Sequence, residues 1–234
     1  LMMCDGQNRA QLPGSTDFDA VIDAAPATNP EQTKAQSIHD PFVYIYTSGT
    51  TGLPKAAMMK NQRVMKAMFV FAGPVAHIVP SDVVYTSGLP FYHSSGFILG
   101  YGMALVGGAT CALRRKFSSS QHFEDCERTG ATVFAYIGEL CRYLLASEVK
   151  PAEKRHKLRM VVGAGLRPDI WEAFVQRFNI PAVREFYGAT EGNVGIVNFD
   201  GKPGMLGRLM PGQVVARAEE GTADVWRNAH TGLC

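Results

Sequence analysis

The chain has 234 residues, enough for one large domain or two small ones with a real core. Hydrophobic residues at 46% and charged residues at 19% exclude the low-hydrophobicity, high-charge class of disordered chains. A formal net charge of +2 without long basic runs gives no electrostatic footprint for nucleic acid, so no nucleic-acid partner is expected.

Residues 1–40, rich in Asp, Ala, Pro, Thr and Gln, read as a loop-rich lead-in with one short helix near Phe18 to Ala25. Leu1 to Asn8 lack the basic and apolar regions of a signal peptide, and the two chain ends read as those of a fragment. Residues 41–234 read as the core. Short β-branched and aromatic runs (Phe42 to Thr47, Asp82 to Ser87, Ala109 to Leu113, Thr132 to Ile137, Leu158 to Val162, Val183 to Phe186) predict strands. They alternate with helical patterns over Lys60 to Val79, Phe97 to Val106, Ser119 to Thr129, Gly138 to Ser147 and Pro168 to Phe178. That alternation predicts an α/β fold, a β-sheet flanked by helices. In the last helix Pro168 suits the first turn, and Ile170, Phe174 and Phe178 are expected to form its core stripe. The uncharged stretch Phe91 to Leu113 is long enough to span a bilayer, but its His93, two serines and five glycines favour buried helix and strand. Five scattered cysteines without a C-x-x-C pair read as reduced thiols.

The segment Tyr44 to Lys55 follows an apolar strand and packs two glycines, four hydroxyl side chains and a lysine into its last nine residues. Gly49 and Gly52 allow backbone N–H groups to approach an anion, Thr47, Ser48, Thr50 and Thr51 add hydroxyls, and Lys55 adds a point charge. A phosphate loop is the functional reading, and a hydroxyl-rich surface turn is the competing one. The G-x-x-x-x-G-K-[ST] loop is not matched, because the spacing is shorter, Pro54 precedes the lysine and no Ser or Thr follows it.

In its order of residues, Thr47-Ser-Gly-Thr-Thr-Gly-Leu-Pro-Lys55 resembles the phosphate-binding signature of the acyl-adenylate-forming (AMP-binding) superfamily, which includes acyl-CoA synthetases, peptide-synthetase adenylation domains and firefly luciferase. Leu89-Pro-Phe-Tyr-His-Ser-Ser-Gly-Phe97 resembles the second motif of that family, which implies an acyl-site role for His93 and, with it, for Phe91, Tyr92 and Phe97. On its own, His93 beside a Pro-aromatic turn also reads as a satisfied structural histidine. Glu185-Phe-Tyr-Gly-Ala-Thr-Glu-Gly192 resembles the third motif. The likeness implies that Tyr187 stacks on adenine, Thr190 contacts the α-phosphate and Glu191 holds Mg²⁺, with Glu185, Phe186 and Gly188 in the nucleotide site and Thr47 beside the metal. Without its companions, this run also reads as a strand exit leading into a capped helix. Val162-Gly-Ala-Gly-Leu-Arg167 is similar to the adenine-site loop and adds Gly163, Ala164 and Gly165.

The likeness extends from about Ser37 and is nearest to the fatty-acid transport protein and very-long-chain acyl-CoA synthetase branch, through Ile45 to Ala57, Phe186 to Asn193 and Gly204 to Arg208, and less closely Val225 to Cys234. It implies the central part of a large N-terminal domain with a mixed β-sheet. It also implies a ligase that uses ATP and Mg²⁺ to make an acyl-adenylate of a long or very long fatty acid, with CoA as acceptor. Lys55, Thr190, Glu191 and His93 form the implied catalytic set. The family's ribose-binding aspartate and terminal lysine domain are expected beyond Cys234, which leaves an inert nucleotide-binding remnant or a transport protein as the alternative reading. An aryl or amino-acid activator is a third. The expected location is cytoplasmic or peripherally membrane-associated.

Overall fold

The structure is a computed structural model that describes residues 16–47, 53–190, 192, 194–209, 211–219, 221, 224–228 and 230–231. The contacts separate a first unit ending at Ile38 from a second that begins at His39. In the first, helix α1 (Phe18–Asp23) is capped by the Asp17 carboxylate, which accepts from the Asp19 and Ala20 N–H groups.

The second unit opens with an antiparallel hairpin of β1 (Pro41–Thr47) and β2 (Lys55–Lys60), which runs directly into helix α2 (Asn61–Val70). The sequence reading expected β1 but gave Lys55 to Met59 no element. Ala and Met carry little strand propensity, and pairing with β1 decides the matter. Along β1, Val43 and Ile45 face inward, while Phe42, Tyr44 and Tyr46 remain exposed. The inward residues pack with Met59, Val64, Met68 and Ile98 in a small core of their own.

Among the described residues, six strands form the main sheet in the order β4 (Thr110–Ala112), β3 (Val83–Tyr85), β5 (Val133–Ile137), β6 (Met160–Ala164), β7 (Val183–Gly188) and β8 (Gly195–Asn198). All neighbours are parallel except β8, which returns antiparallel along β7. Side chains alternate strictly between its faces. Tyr85, Phe134, Tyr136, Val161 and Val183 join a core with α4 (His122–Thr129), α5 (Gly138–Ala146) and α6 (Pro168–Phe178). Val84, Val133, Ala135, Met160 and Val162 join Ala72, Val75, Leu99 and Met103 on the other face. Two-sided burial explains the continuous apolar runs of these strands, and the expected α/β fold with a mixed, helix-flanked sheet is what the structure has.

Several boundaries differ from expectation. The helix expected over Lys60 to Val79 starts at Asn61 and widens into a π-helical turn, Phe71–Val75, around Pro74, which cannot donate to the helix. The one expected over Phe97 to Val106 is a π-helical segment, Ser95–Gly102, continuing into α3 (Met103–Gly107). In α6 the core stripe is Trp171, Phe174 and Phe178; Ile170 is only half-buried at its rim, because spacings of three and four outrank strict fours. No described helix is long and apolar enough to cross a membrane.

The N-terminal edge of the sheet is pinned by Asp82. Its carboxylate accepts from Arg159 at 2.9 and 2.7 Å, from the Thr132 hydroxyl at 2.7 Å and from the Val79 N–H at 2.9 Å. These donors precede β6, β5 and β3. Burial alone would raise this carboxyl, but the Arg159 and Thr132 hydrogen bonds prevail and hold it at about 2. A depressed folded pKa contributes stability that is full above the ordinary value of 3.8 and lost as pH falls toward about 2. Chemical unfolding of Asp82→Asn across that interval should therefore show a deficit against wild type at neutral pH that narrows as the wild-type carboxylate protonates; a deficit independent of pH would contradict this assignment.

Candidate functional site

Ligands of open parallel sheets gather beyond the carboxyl ends of the strands, where successive connections diverge. Here that point lies between β3, which connects to β4 on one side, and β5, which connects to β6 on the other. The sequence-predicted segments leave this same edge: Leu89 to Phe97 after β3, Gly165 after β6, and Ala189 and Thr190 after β7.

A buried carboxylate organises the edge. Glu185 on β7 accepts from the Tyr136 hydroxyl of β5 and from the Gly165 N–H, and its second oxygen also takes the Leu166 N–H at 3.3 Å. Burial raises its pKa above the ordinary carboxylate value, against the three donors, which lower it. Burial first and the Glu185 charge second push the Tyr136 phenol well above 10. The Gly163-Ala-Gly165 turn fits only because of its glycines: a Cβ on Gly163 would lie 2.2 Å from the Tyr136 carbonyl oxygen, and Gly165 has φ +90°. Glu185 thus meets protein donors on both oxygens and holds the turn that the sequence reading assigned to adenine.

Farther along β7, Phe186 points to the opposite face and packs edge-on against Phe71 with centroids 4.8 Å apart. Tyr187 is 53% exposed, and Gly188 pairs with Gly195 of β8. The Thr190 carbonyl accepts from Arg63 Nη2 at 2.6 Å, and the Gly192 carbonyl accepts from the same nitrogen. Glu191 lies outside the described residues.

Thr47 and Lys55 are register partners at the loop end of the hairpin. Ser48, Gly49, Thr50, Thr51 and Gly52, which join them in sequence, are outside the described residues. The hairpin thereby puts Thr47 and Lys55 in register where the glycine-rich segment departs and returns.

His93 is exposed. Its Nδ1 accepts the Ser95 N–H at 3.1 Å and lies 2.8 Å from the Ser95 hydroxyl, so the neutral ring keeps its proton on Nε2. Phe91 and Phe97 belong to an aromatic group with two residues the sequence reading passed over, Tyr101 and Phe42. Phe97 stacks on Tyr101 at 6.1 Å and on Phe42 at 5.8 Å, and Phe91 lies 5.6 Å from Tyr101. Tyr92, by contrast, is 84% exposed. Phe97 and Tyr101 are four apart on the π-helical segment, and an i, i+4 aromatic spacing in an apolar run was the available signal. Arg63 and Tyr136 carried none, because their partners are 127 and 49 residues away.

Residues 5–232 match a family profile described as AMP-binding enzyme. The chain is 42% identical to "Long-chain fatty acid transport protein 1" of Mus musculus, over 100% of this chain and 37% of that protein. It is 40% identical to a medium/long-chain-fatty-acid–CoA ligase of Mycobacterium tuberculosis, over 86% of this chain and 34% of that one. The solved structure of ATP-bound MatB from Rhodopseudomonas palustris aligns with a TM-score of 0.64 and 26% identity, over 75% of this chain and 35% of that chain. The chain therefore spans little more than a third of the length of these relatives.

If Glu185 organises the edge, Tyr136→Phe, which removes one donor without changing shape, should lower the unfolding free energy by about 1.5–3 kcal/mol, the range for hydrogen bonds to charged groups. Urea denaturation measures this, and an unchanged midpoint would show that the bond contributes nothing.

Proposed function

The chain belongs to the AMP-binding enzyme family, and from that premise we propose that it is the nucleotide- and acyl-binding part of a fatty acid–CoA ligase. In the proposed reaction a long or very long fatty-acid carboxylate attacks the α-phosphorus of ATP, releasing pyrophosphate, and CoA thiol then displaces AMP to leave the thioester. The observation that carries the reading is the convergence of the family's motifs on the sheet edge, with the Thr47–Lys55 pair joined through α2 and Arg63 to the loop bearing Thr190.

In this reading Lys55 and the hydroxyls of Thr47, Ser48, Thr50 and Thr51 hold the β- and γ-phosphates. The exposed Tyr187 ring covers the adenine beside the Gly163-Ala-Gly165 turn, and Thr190 bonds the α-phosphate. Lys55 and Thr190 act catalytically by stabilising the negative charge that builds on phosphate oxygens during attack, a task done by donors fixed in advance. Glu191 and Thr47 would hold Mg²⁺, an ion that suits one carboxylate plus phosphate oxygens and water; it would neutralise charge on the phosphates. His93 is the proposed donor to the fatty-acid carboxylate through Nε2–H, because Nδ1 is occupied by Ser95. The Phe91, Phe97, Tyr101 and Phe42 rings offer an apolar wall to the first part of the acyl chain.

Fatty acid rather than an aryl or amino acid is favoured by the relatives, among them a long-chain fatty acid transport protein and a medium/long-chain-fatty-acid–CoA ligase. Peripheral association with a membrane is part of the same proposal.

Isothermal titration of the 234-residue chain with ATP and Mg²⁺ should show one site, and Lys55→Met should weaken it about tenfold or more, the loss of one charge-assisted bond to phosphate. In the protein that carries this chain, ATP–pyrophosphate exchange should be stimulated by a long-chain fatty acid and not by benzoate or an amino acid. Exchange driven by benzoate or an amino acid instead would overturn the fatty-acid assignment.

A further inference from the structure

We propose that Arg63 is a positioning residue that clamps the Thr190–Gly192 loop and fixes its distance from the hairpin carrying Thr47 and Lys55. Its consequence for nucleotide binding rests on the adenylate-forming reading above, whereas the clamp itself does not.

Arg63 lies in the first turn of α2, and α2 begins where β2 ends. The helix is fixed independently of the loop. Val64 and Met68 are buried against Ile45 and Met59 of the hairpin, and the Asn61 N–H donates to the Asp40 carbonyl at 3.0 Å. From this rigid base the half-buried guanidinium sends one nitrogen, Nη2, to the carbonyl oxygens of both Thr190 and Gly192. The loop also closes on itself through the Gly192 N–H to the Ala189 carbonyl at 3.1 Å.

Two carbonyl oxygens converging on one point repel each other unless a cation lies between them. Arg63 supplies that cation, with a charge-assisted bond to each. Glu191 sits in sequence between the two clamped carbonyls, and Thr190 carries one of them. One side chain therefore sets the spacing between the lysine end and the threonine end of the proposed nucleotide site, and a fraction of an ångström there matters to binding and rate.

Both described acceptors of Arg63 Nη2 are main-chain carbonyls, so its effect is expected in the loop before any nucleotide is added. In the nucleotide-free chain, Arg63→Met should raise amide hydrogen exchange across Gly188–Val194 about tenfold, the loss of a charged hydrogen bond, while β6 and α6 stay at wild-type rates and the melting temperature holds. Arg63→Lys, which keeps a cation within reach of both oxygens, should recover part of the protection. Magnesium–ATP affinity should fall about tenfold in Arg63→Met and recover in parallel in Arg63→Lys.

Unchanged exchange over Gly188–Val194 in Arg63→Met would overturn the clamp, as would an increase spread across the whole sheet with a lowered melting temperature, which marks a general stability role. A loosened loop with wild-type magnesium–ATP affinity would overturn the link to the nucleotide site. Wild-type chain that binds no magnesium–ATP defeats the adenylation reading instead, and the nucleotide-free exchange result then stands or falls by itself.

Discussion

The buried carboxylate of Glu185 is the interaction on which the site edge depends. It gathers donors from the end of β5 and the exit of β6 while standing on β7, so three neighbouring strands share one charge at their carboxyl ends. A carboxylate this buried is unfavourable unless its lone pairs are met. Tyr136, Gly165 and Leu166 meet them, and the Gly163-Ala-Gly165 turn and the end of β7 that bears Tyr187 are thereby held in relation to each other. Asp82 does the corresponding work at the opposite edge, where Arg159, Thr132 and Val79 join the starts of β6, β5 and β3. Between these two pins β5 and β6 bury apolar side chains on both faces.

The hairpin is a second body attached to this frame. It packs through Ile45 and Met59 onto α2 and the π-helical segment, and its outer row of Phe42, Tyr44 and Tyr46 stays exposed. Because Lys55 starts β2 and β2 runs into α2, any shift of the helix is a shift of the lysine. The bond from Arg63 to the Thr190 carbonyl ties this helix to the chain that follows β7. Both π-helical stretches lie where this second body meets the sheet. One carries Phe71 against Phe186, and the other carries Phe97 and Tyr101. Irregular helix at such a junction is a common companion of function.

Much of this was legible in the sequence because it is written in short-range pattern. The parallel strands appeared as apolar runs, α6 as a proline-started stripe, and the three motifs as fixed orders of residues. What was not legible depends on partners distant in the chain. β2 has weak propensity and exists by pairing with β1. Trp171 displaces Ile170 from the core because the helix presents its i, i+3 neighbours to the sheet. Glu185 reads as part of a nucleotide motif, yet its bonds to Tyr136, Gly165 and Leu166 are visible only in three dimensions. Arg63 carries no short-range signal within the helical pattern over Lys60 to Val79, because its acceptors lie far along the chain.

The central claim is that the sheet edge and the hairpin together form one nucleotide site, and a crystal structure of the chain with magnesium and a non-hydrolysable ATP analogue tests it most directly. The adenine is expected against Tyr187 and the Gly163-Ala-Gly165 turn, the α-phosphate at Thr190, and the terminal phosphates between Thr47 and Lys55. Nucleotide density elsewhere, or with its phosphates turned away from Lys55, would contradict it.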